Sequence, residues 1–230
     1  MYRKFCLVVL VICFVASVTQ ASLIVSVNRS GGQSGNRAPI GAFDGETDPL
    51  PTQVGGLTGS NLVFSDRDGH NWNSPTNTIP PALLNSEYVR TFNTDKATAE
   101  SDVTYAMTIS KSATVWITID DRSTTTTTWG TTAPWGTGAP ASLQVVADWV
   151  TDAIGPAGTF TDSGLNLLIW ESTSTTARPM SVFSAVLAAG TYTFGEMSSG
   201  NNFYTIGAIP EPATVALLGL GALALVRRKK

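Results

Sequence analysis

Residues 102–120 read DVTYAMTISKSATVWITID and carry the clearest secondary-structure pattern in the chain. Apolar side chains recur at every second position on both sides of a polar interruption at residues 110–113. The alternating apolar residues are Val103, Tyr105, Met107, Ile109, Val115, Ile117 and Ile119. A period of two is typical of strands that bury one face. Because a four-residue connection favours a hairpin, we predict that these two strands pair with each other.

Shorter patterns of the same kind lie on both sides of this stretch. We predict strands at residues 23–27, 62–64, 88–92, 165–170, 180–187, 191–194 and 202–209, and a tight turn at 188–190. Residues 145–150 fit either a strand or a single helical turn, and residues 31–81 are rich in Gly, Pro, Asn and Asp, which favours a long loop. The pattern therefore predicts an all-β fold: one antiparallel β-sandwich or jelly-roll-like domain over residues 22–209.

The N-terminus has the three parts of a secretory signal. Arg3 and Lys4 form a charged head, residues 5–15 are apolar, and small residues stand at Thr19 and Ala21. We expect a signal helix over residues 1–21, with cleavage by signal peptidase after Ala21. A retained membrane anchor is the alternative, although the apolar run is short for a bilayer span.

The C-terminus also has three parts in a fixed order. The turn Pro210-Glu211-Pro212 precedes an apolar segment at residues 213–226. A basic cluster that would stop passage through a membrane ends the chain at Arg227, Arg228, Lys229 and Lys230. Fourteen helical residues span about 21 Å, which is less than the ~30 Å of a bilayer core. We therefore expect a marginal hydrophobic helix that is either removed or kept as a plain membrane anchor.

This arrangement resembles the PEP-CTERM sorting signal of bacterial exported proteins, over residues 210–230. The resemblance implies that an intramembrane cysteine protease of the exosortase type recognises Pro210, Glu211 and Pro212. It also implies a precursor held transiently in the membrane by its C-terminal helix, followed by release to the cell surface or the extracellular matrix.

The body of the chain resembles, in a few segments, the β-sandwich modules of secreted bacterial proteins. The segments are TVWITIDDR at residues 114–122, FTDSGL at 160–165 and AGTYTFG at 189–195. Some such modules accompany enzymes that act on polysaccharides. This resemblance implies a fold more than an activity.

Composition excludes several classes of function. Residues 22–209 contain eight basic and sixteen acidic residues, a formal charge of −8, which argues against nucleic acid as a partner. Both cysteines, Cys6 and Cys13, lie in the predicted signal peptide, so we expect no disulfide and no thiolate metal site in the mature protein. Nothing in the pattern points to a cofactor.

Two acidic segments are candidate ligand sites. Asp120 and Asp121, at the end of the second predicted strand, would bind a cation or sugar hydroxyls, or else form a charged corner in which Arg122 pairs with an acid. Asp66 and Asp68, followed by a glycine, resemble the start of a calcium loop, but no Glu stands at its twelfth position. The alternative there is a turn stabilised by Asp side chains.

Tryptophans offer a second kind of site, because exposed indole rings stack on sugars. We predict a ligand-facing platform at Trp116, Trp129 and Trp135, and core positions for Trp149 and Trp170. The only histidine, His70, lies in a polar segment and is expected to be solvated. No Gly-x-Ser-x-Gly nucleophile motif accompanies it.

The sequence thus predicts an exported, non-enzymatic surface or extracellular-matrix protein. A carbohydrate-binding module of the cell envelope and a secreted polysaccharide hydrolase are the alternatives. Extracellular polysaccharide would be the partner in each of these readings.

Overall fold

The computed structural model describes residues 22–31, 40–42, 62–72, 79–84, 86–97, 103–125, 129, 133–136, 138–171, 176–197 and 201–211. The predicted signal helix, the C-terminal helix and the basic cluster lie outside these residues. The strands are β1 (Ile24–Ser30), β2 (Ile40–Ala42), β3 (Leu62–Phe64), β4 (Arg67–Asn71), β5 (Glu87–Val89), β6 (Thr104–Ile109), β7 (Ala113–Asp120), β8 (Thr161–Glu171), β9 (Thr176–Leu187), β10 (Gly190–Phe194) and β11 (Thr205–Pro210). The α-helix α1 covers Leu143–Thr151, and short 3-10 turns cover Pro81–Leu83, Asn93–Ala97, Asp121–Thr124 and Asp152–Ala157.

The strands form two sheets, which confirms the predicted all-β class. One sheet has the order β1-β6-β10 and the other β2-β5-β11-β7-β9-β8-β4-β3. The paired strands in both sheets run antiparallel. A single apolar core takes side chains from both sheets, including Tyr105 and Met107 of β6 and Val115 and Ile117 of β7. The arrangement is that of a sandwich.

The predicted hairpin between β6 and β7 is wrong. β6 pairs with β1 and β10, whereas β7 pairs with β11 and β9. Both edges of each strand are therefore already occupied, and residues 110–112 cross from one sheet to the other. The alternating pattern shows only that each strand has one buried face. Two strands of different sheets that pack face to face give the same pattern as two neighbouring strands of one sheet. Residues 188–189 make a second crossing of this kind, between β9 and β10.

The remaining predictions are mostly confirmed, with two corrections and one open alternative decided. The strand expected at residues 88–92 is limited to Glu87–Val89. Residues 145–150 belong to α1, whose first turn is capped by the Ser142 hydroxyl, which accepts from the Val145 amide at 3.4 Å. The segment at residues 31–81, expected to be mostly loop around the strand predicted at 62–64, also contains β2 and β4.

The eight-stranded sheet curls so far that β3, at one edge, approaches β5, which lies next to β2 at the opposite edge. The Tyr88 hydroxyl donates to the Leu62 carbonyl at 2.7 Å, and the Ser65 amide donates to the Thr91 carbonyl at 2.8 Å. Phe64 and Thr91 form an isolated parallel bridge. This closure brings the β3–β4 turn beside the segment that follows β5.

Candidate functional site: the two ends of the sandwich

The N-terminal exit of the domain lies where β5 and β7 begin. The Glu87 carboxylate accepts hydrogen bonds from the amides of Leu23 at 2.8 Å and Ile24 at 2.7 Å. The same carboxylate accepts from the Ser22 hydroxyl at 2.8 Å. The Ser110 hydroxyl in turn donates to the Ser22 carbonyl at 3.1 Å. The residue that follows the predicted cleavage site is therefore fixed to the β6–β7 crossing.

The C-terminal exit lies at this same end. Pro210 is the last residue of β11 and stands opposite Ala113, the first residue of β7. Glu211 follows directly, and its carboxylate accepts a hydrogen bond from the Ser112 hydroxyl at 3.1 Å. The Pro-Glu-Pro turn thus begins inside the folded sheet, with no linker before it. Both chain exits contact the crossing at residues 110–112.

The opposite end of the sandwich holds a group of ionisable side chains, which we call the charged cluster. It lies where β7 and β8 end and where β9 and β11 begin, roughly 23 Å from the chain exits along the eight residues of β7. The charged cluster consists of Asp66, Arg67, His70, Lys96, Asp120, Arg122, Glu171 and Arg178.

Two ion pairs anchor the charged cluster to the strand ends. The Arg122 guanidinium binds both carboxylate oxygens of Asp120, at 2.9 and 2.6 Å, and such bidentate pairs are the stronger kind. Glu171 accepts from Arg178 at 3.3 Å, and the Nε2 atom of His70 lies 3.8 Å from its carboxylate. The acids at the ends of β7 and β8 are therefore committed to cations of the protein.

Two asparagines join these pairs into one network. The Asn202 amide donates to Asp120 at 3.2 Å, and its side-chain nitrogen donates to Glu171 at 3.3 Å. The side-chain nitrogen of Asn93 lies 3.4 Å from the Asn202 side-chain oxygen. Asp66 completes the network by accepting from the Asn93 amide at 2.7 Å. The backbone of Asn202 therefore contacts one ion pair, and its side chain contacts the other.

Lys96 and His70 are the least compensated members of the charged cluster. Burial lowers the pKa of Lys96, and the nearby guanidinium groups of Arg67 and Arg122 lower it further, against the opposing effect of Asp120 and Glu171. Among the described residues, Lys96 forms no ion pair or hydrogen bond through its amine.

His70 responds to a similar balance. Burial lowers its pKa, Glu171 raises it, and the cations Arg67 and Lys96 lower it, with Asp66 raising it. Its Nδ1 atom is buried and has no hydrogen-bond partner among the residues that the structure describes. His70 lies in β4 with a side chain that is 17% exposed, so the expectation of a solvated histidine is wrong.

The predicted acidic sites have structural roles in this arrangement. Asp120 is completely buried, which places its carboxylate out of reach of a ligand, and its pairing with Arg122 is the charged-corner alternative. Asp121 accepts from the amide and hydroxyl of Ser181, at 3.0 and 2.7 Å. Asp66 accepts from two backbone amides of the 3-10 turn Asn93–Ala97. The side chain of Asp68 lies outside the described residues.

The predicted tryptophan platform divides into one buried ring and two surface rings. Trp116 is completely buried and lies against Gly207, where a Cβ atom would come within 2.0 Å of the indole, so the expectation of a ligand-facing ring there is wrong. Trp129 and Trp135 are partly buried and meet edge to face, with centroids 4.6 Å apart at 89°. Trp149 joins them at 5.2 Å from Trp135. The three rings form a compact surface group rather than one flat face.

Sequence reasoning did not single out Lys96, Glu171 and Arg178 of the charged cluster, or Asn202, which joins its ion pairs. These residues lie far apart in the chain, and each is unremarkable beside its sequence neighbours. Within the described ranges, no group of three or more His, Cys, Asp or Glu side chains is placed to hold a metal ion. The helices of these ranges include none with the length and hydrophobicity to cross a bilayer.

Comparison with known families adds one finding. The model of the PEP-CTERM protein-sorting motif matches residues 208–230, which confirms the predicted resemblance and extends it into β11, since the match includes Ala208 and Ile209. Searches of curated proteins and of solved structures found no match. The chain therefore carries, continuous with its last strand, the motif by which exported proteins are sorted to the cell surface through an exosortase-type protease.

Proposed function

We propose that this protein is an exported, non-enzymatic surface or extracellular-matrix protein whose folded domain is held at the membrane by its sorting motif and then released by exosortase-type cleavage. The observation that carries the proposal is the shared exit of both chain ends. Ser22 and Glu211 both bind the crossing at residues 110–112, through Ser110 and Ser112. A domain with both exits on one side allows an N-terminal signal and a C-terminal helix to reach the same membrane.

The absence of a linker supports a definite orientation for the precursor. Pro210 is paired within the sheet, so the end of the sandwich that carries residues 110–112 would lie against the membrane surface. The charged cluster would then face away from the bilayer. Release would require the protease to act just beyond the sheet, on a turn whose first residue belongs to β11.

The test is replacement of the turn in the full-length chain, expressed with and without an exosortase-type protease. Glu211→Gln keeps both prolines and the strand, whereas Ala at all three positions removes the turn. We expect the wild-type chain to be released only when the protease is present, starting at Ser22 and lacking its basic end by intact mass. The triple variant should stay in the membrane fraction. Release of the triple variant at the wild-type rate would refute the proposal.

A carbohydrate-binding module is the second candidate. The partly exposed rings of Trp129 and Trp135 favour it, since each leaves some indole surface for a sugar ring. The matched comparison is Trp129→Ala against Trp116→Phe, which changes a buried ring. Loss of binding to a neutral polysaccharide in the first variant only would support this role, and no binding by the wild-type chain at millimolar sugar would refute it.

A further inference from the structure

The charged cluster concentrates the cations of a domain whose formal charge is negative. It gathers four of the eight Lys and Arg residues of residues 22–209, but only three of the sixteen acids. Charges farther away than a Debye length, about 10 Å at 0.1 M salt, are largely screened. An approaching anion would therefore respond mainly to the cluster and its immediate neighbours, where the nearby carboxylate of Asp121 is already bonded to Ser181.

The acids of the charged cluster are already used, while several cation donors are not. Asp120 is fully buried between Arg122 and Asn202, and both oxygens of Asp66 accept from backbone amides. The Arg67 guanidinium is held only through its Nη1 atom, at 3.0 Å from the Asp66 carbonyl and 3.5 Å from the carboxylate. The donors that remain on Arg67 and the amine of Lys96 have no acceptor within the described part of the chain.

Accessibility fits an external ligand. The side chains of Arg67 and Arg122 are 37% and 35% exposed. Lys96 is partly buried and lies in the 3-10 turn Asn93–Ala97, whose first two amides bind the carboxylate of Asp66. Arg122 and Arg67 lie beside Asp120 and Asp66, but Lys96 forms no ion pair with a described residue, and burying an uncompensated charge costs free energy. The network of Asn93 and Asn202 fixes this arrangement before any ligand arrives.

We propose that Lys96, Arg67 and Arg122 bind an oxyanion, of the carboxylate, sulfate or phosphate type, at the end of the sandwich opposite the chain exits. The ammonium of Lys96 supplies a point charge, and the donors that remain on the Arg67 guanidinium are planar and match two oxygens of one group. Arg122, whose Nε and Nη2 atoms bind Asp120, contributes only its remaining donors. Asp120 keeps Arg122 in position and does not itself contact the ligand. The oxyanion arrives either free or as a substituent of an acidic polymer.

The single histidine supplies a direct test. His70 is the only histidine of the chain, so NMR of ¹³C-labelled histidine gives one set of signals, in the full chain held in a non-ionic detergent. Sodium sulfate is compared with sodium chloride at equal ionic strength. A bound anion stabilises the imidazolium, so we expect sulfate to raise the pKa of His70 by about 0.5 unit or more. The same value in the two salts would overturn the proposal.

Variants locate the effect. Lys96→Gln should abolish the sulfate-dependent shift in the pKa of His70, and Arg67→Gln should reduce it. Two variants are used so that one remains informative if the other does not fold. Lys111→Gln is the matched control, because Lys111 is an exposed lysine at the other end of the sandwich. A shift that survives in both cluster variants, or that is lost equally in the control, would overturn the proposal.

Polygalacturonate, a carboxylate polymer, distinguishes the source of the anion. If it produces the shift at a lower concentration of charge than sulfate does, the site takes the oxyanion from a polymer. If sulfate is the more effective, the site takes a free anion. Either order supports an oxyanion site, and no response to either probe contradicts it. Sorting of the precursor does not enter these measurements, so their outcome is independent of the proposed function.

Discussion

The Ser112 hydroxyl donates a hydrogen bond to the Glu211 carboxylate at 3.1 Å, which ties the sorting motif to the crossing between the two sheets. Ser110, two residues earlier, donates its amide to the Leu23 carbonyl at 3.0 Å. One short connection therefore contacts both chain exits. The two ends of the sandwich therefore differ: one carries both chain exits, and the other, at the far end of β7, carries the charged cluster.

The orientation of the domain relative to the membrane can be measured in the membrane-bound precursor. Cys6→Ser and Cys13→Ser give a chain without native thiols, into which Lys111→Cys or Thr125→Cys places one fluorophore. Lys111 lies in the crossing, and Thr125 is exposed just beyond the end of β7. In vesicles with nitroxide-labelled headgroups, we expect strong quenching at position 111 and weak quenching at position 125, because β7 separates them by about 23 Å. Equal quenching at both positions would show that the end of the domain with the chain exits does not face the membrane.

The strands were largely predictable from the sequence, but the sheets were not. The alternation of Tyr105, Met107 and Ile109 identifies β6 correctly, because side-chain burial follows a period of two. Pairing depends instead on which backbone edges meet, and residues 110–112 could have closed a hairpin or crossed the core. The difference lies in long-range partners such as β1 and β10, which no local pattern in residues 102–120 reveals.

The sorting motif and the charged cluster show the same contrast. Pro210, Glu211 and Pro212 are contiguous, so their order is visible in the sequence. Lys96 and Glu171, in contrast, come together only because β3 curls back toward β5 and places the 3-10 turn beside the end of β8. The burial of Trp116 depends likewise on Gly207, ninety-one positions later in the chain.

Gly207→Ala should destabilise the domain. A Cβ atom at this position would lie 2.0 Å from Cζ2 of Trp116, which is fully buried. Overpacking of this kind costs about 1–3 kcal/mol, and we expect at least that loss in urea unfolding followed by tryptophan fluorescence. Gly138→Ala is the control, because nothing lies within 4 Å of its added Cβ. Equal stability of the two variants would contradict the close packing of Trp116 on β11.

Asp95→Asn should have a larger effect, because the Asp95 carboxylate accepts from Nε and Nη2 of buried Arg29 and from the buried Tyr105 hydroxyl. Arg29 Nε donates to it at 2.8 Å and the Tyr105 hydroxyl at 2.6 Å, while the Arg29 guanidinium lies 4.6 Å above the Phe92 ring. Breaking a buried ion pair by removing one partner costs roughly 3–5 kcal/mol. The measurement is the free energy of unfolding in urea.

Two comparisons separate charge from packing in this buried pair. The exposed Asp152→Asn should change stability by less than about 0.5 kcal/mol. The double variant Arg29→Met with Asp95→Leu should recover much of the loss, because apolar replacement removes both buried charges. If the double variant were less stable than Asp95→Asn, the unpaired charge would not be the cause.

The stability of the domain should depend on the protonation of His70. Burial lowers the pKa of this group in the folded state below its ordinary value, and the cations Arg67 and Lys96 add to the effect. The unfolded chain therefore binds the proton more tightly, so the contribution of His70 to stability is complete above about pH 6.5 and is lost as the pH falls through the interval down to the folded-state pKa.

Lys96→Gln should raise that folded-state pKa, and Glu171→Gln should lower it, in histidine NMR titrations. Unfolding at pH 7.5 and pH 5.5, compared with His70→Gln, measures the energetic consequence. An equal loss of stability in His70→Gln over this interval would assign the pH dependence to other groups.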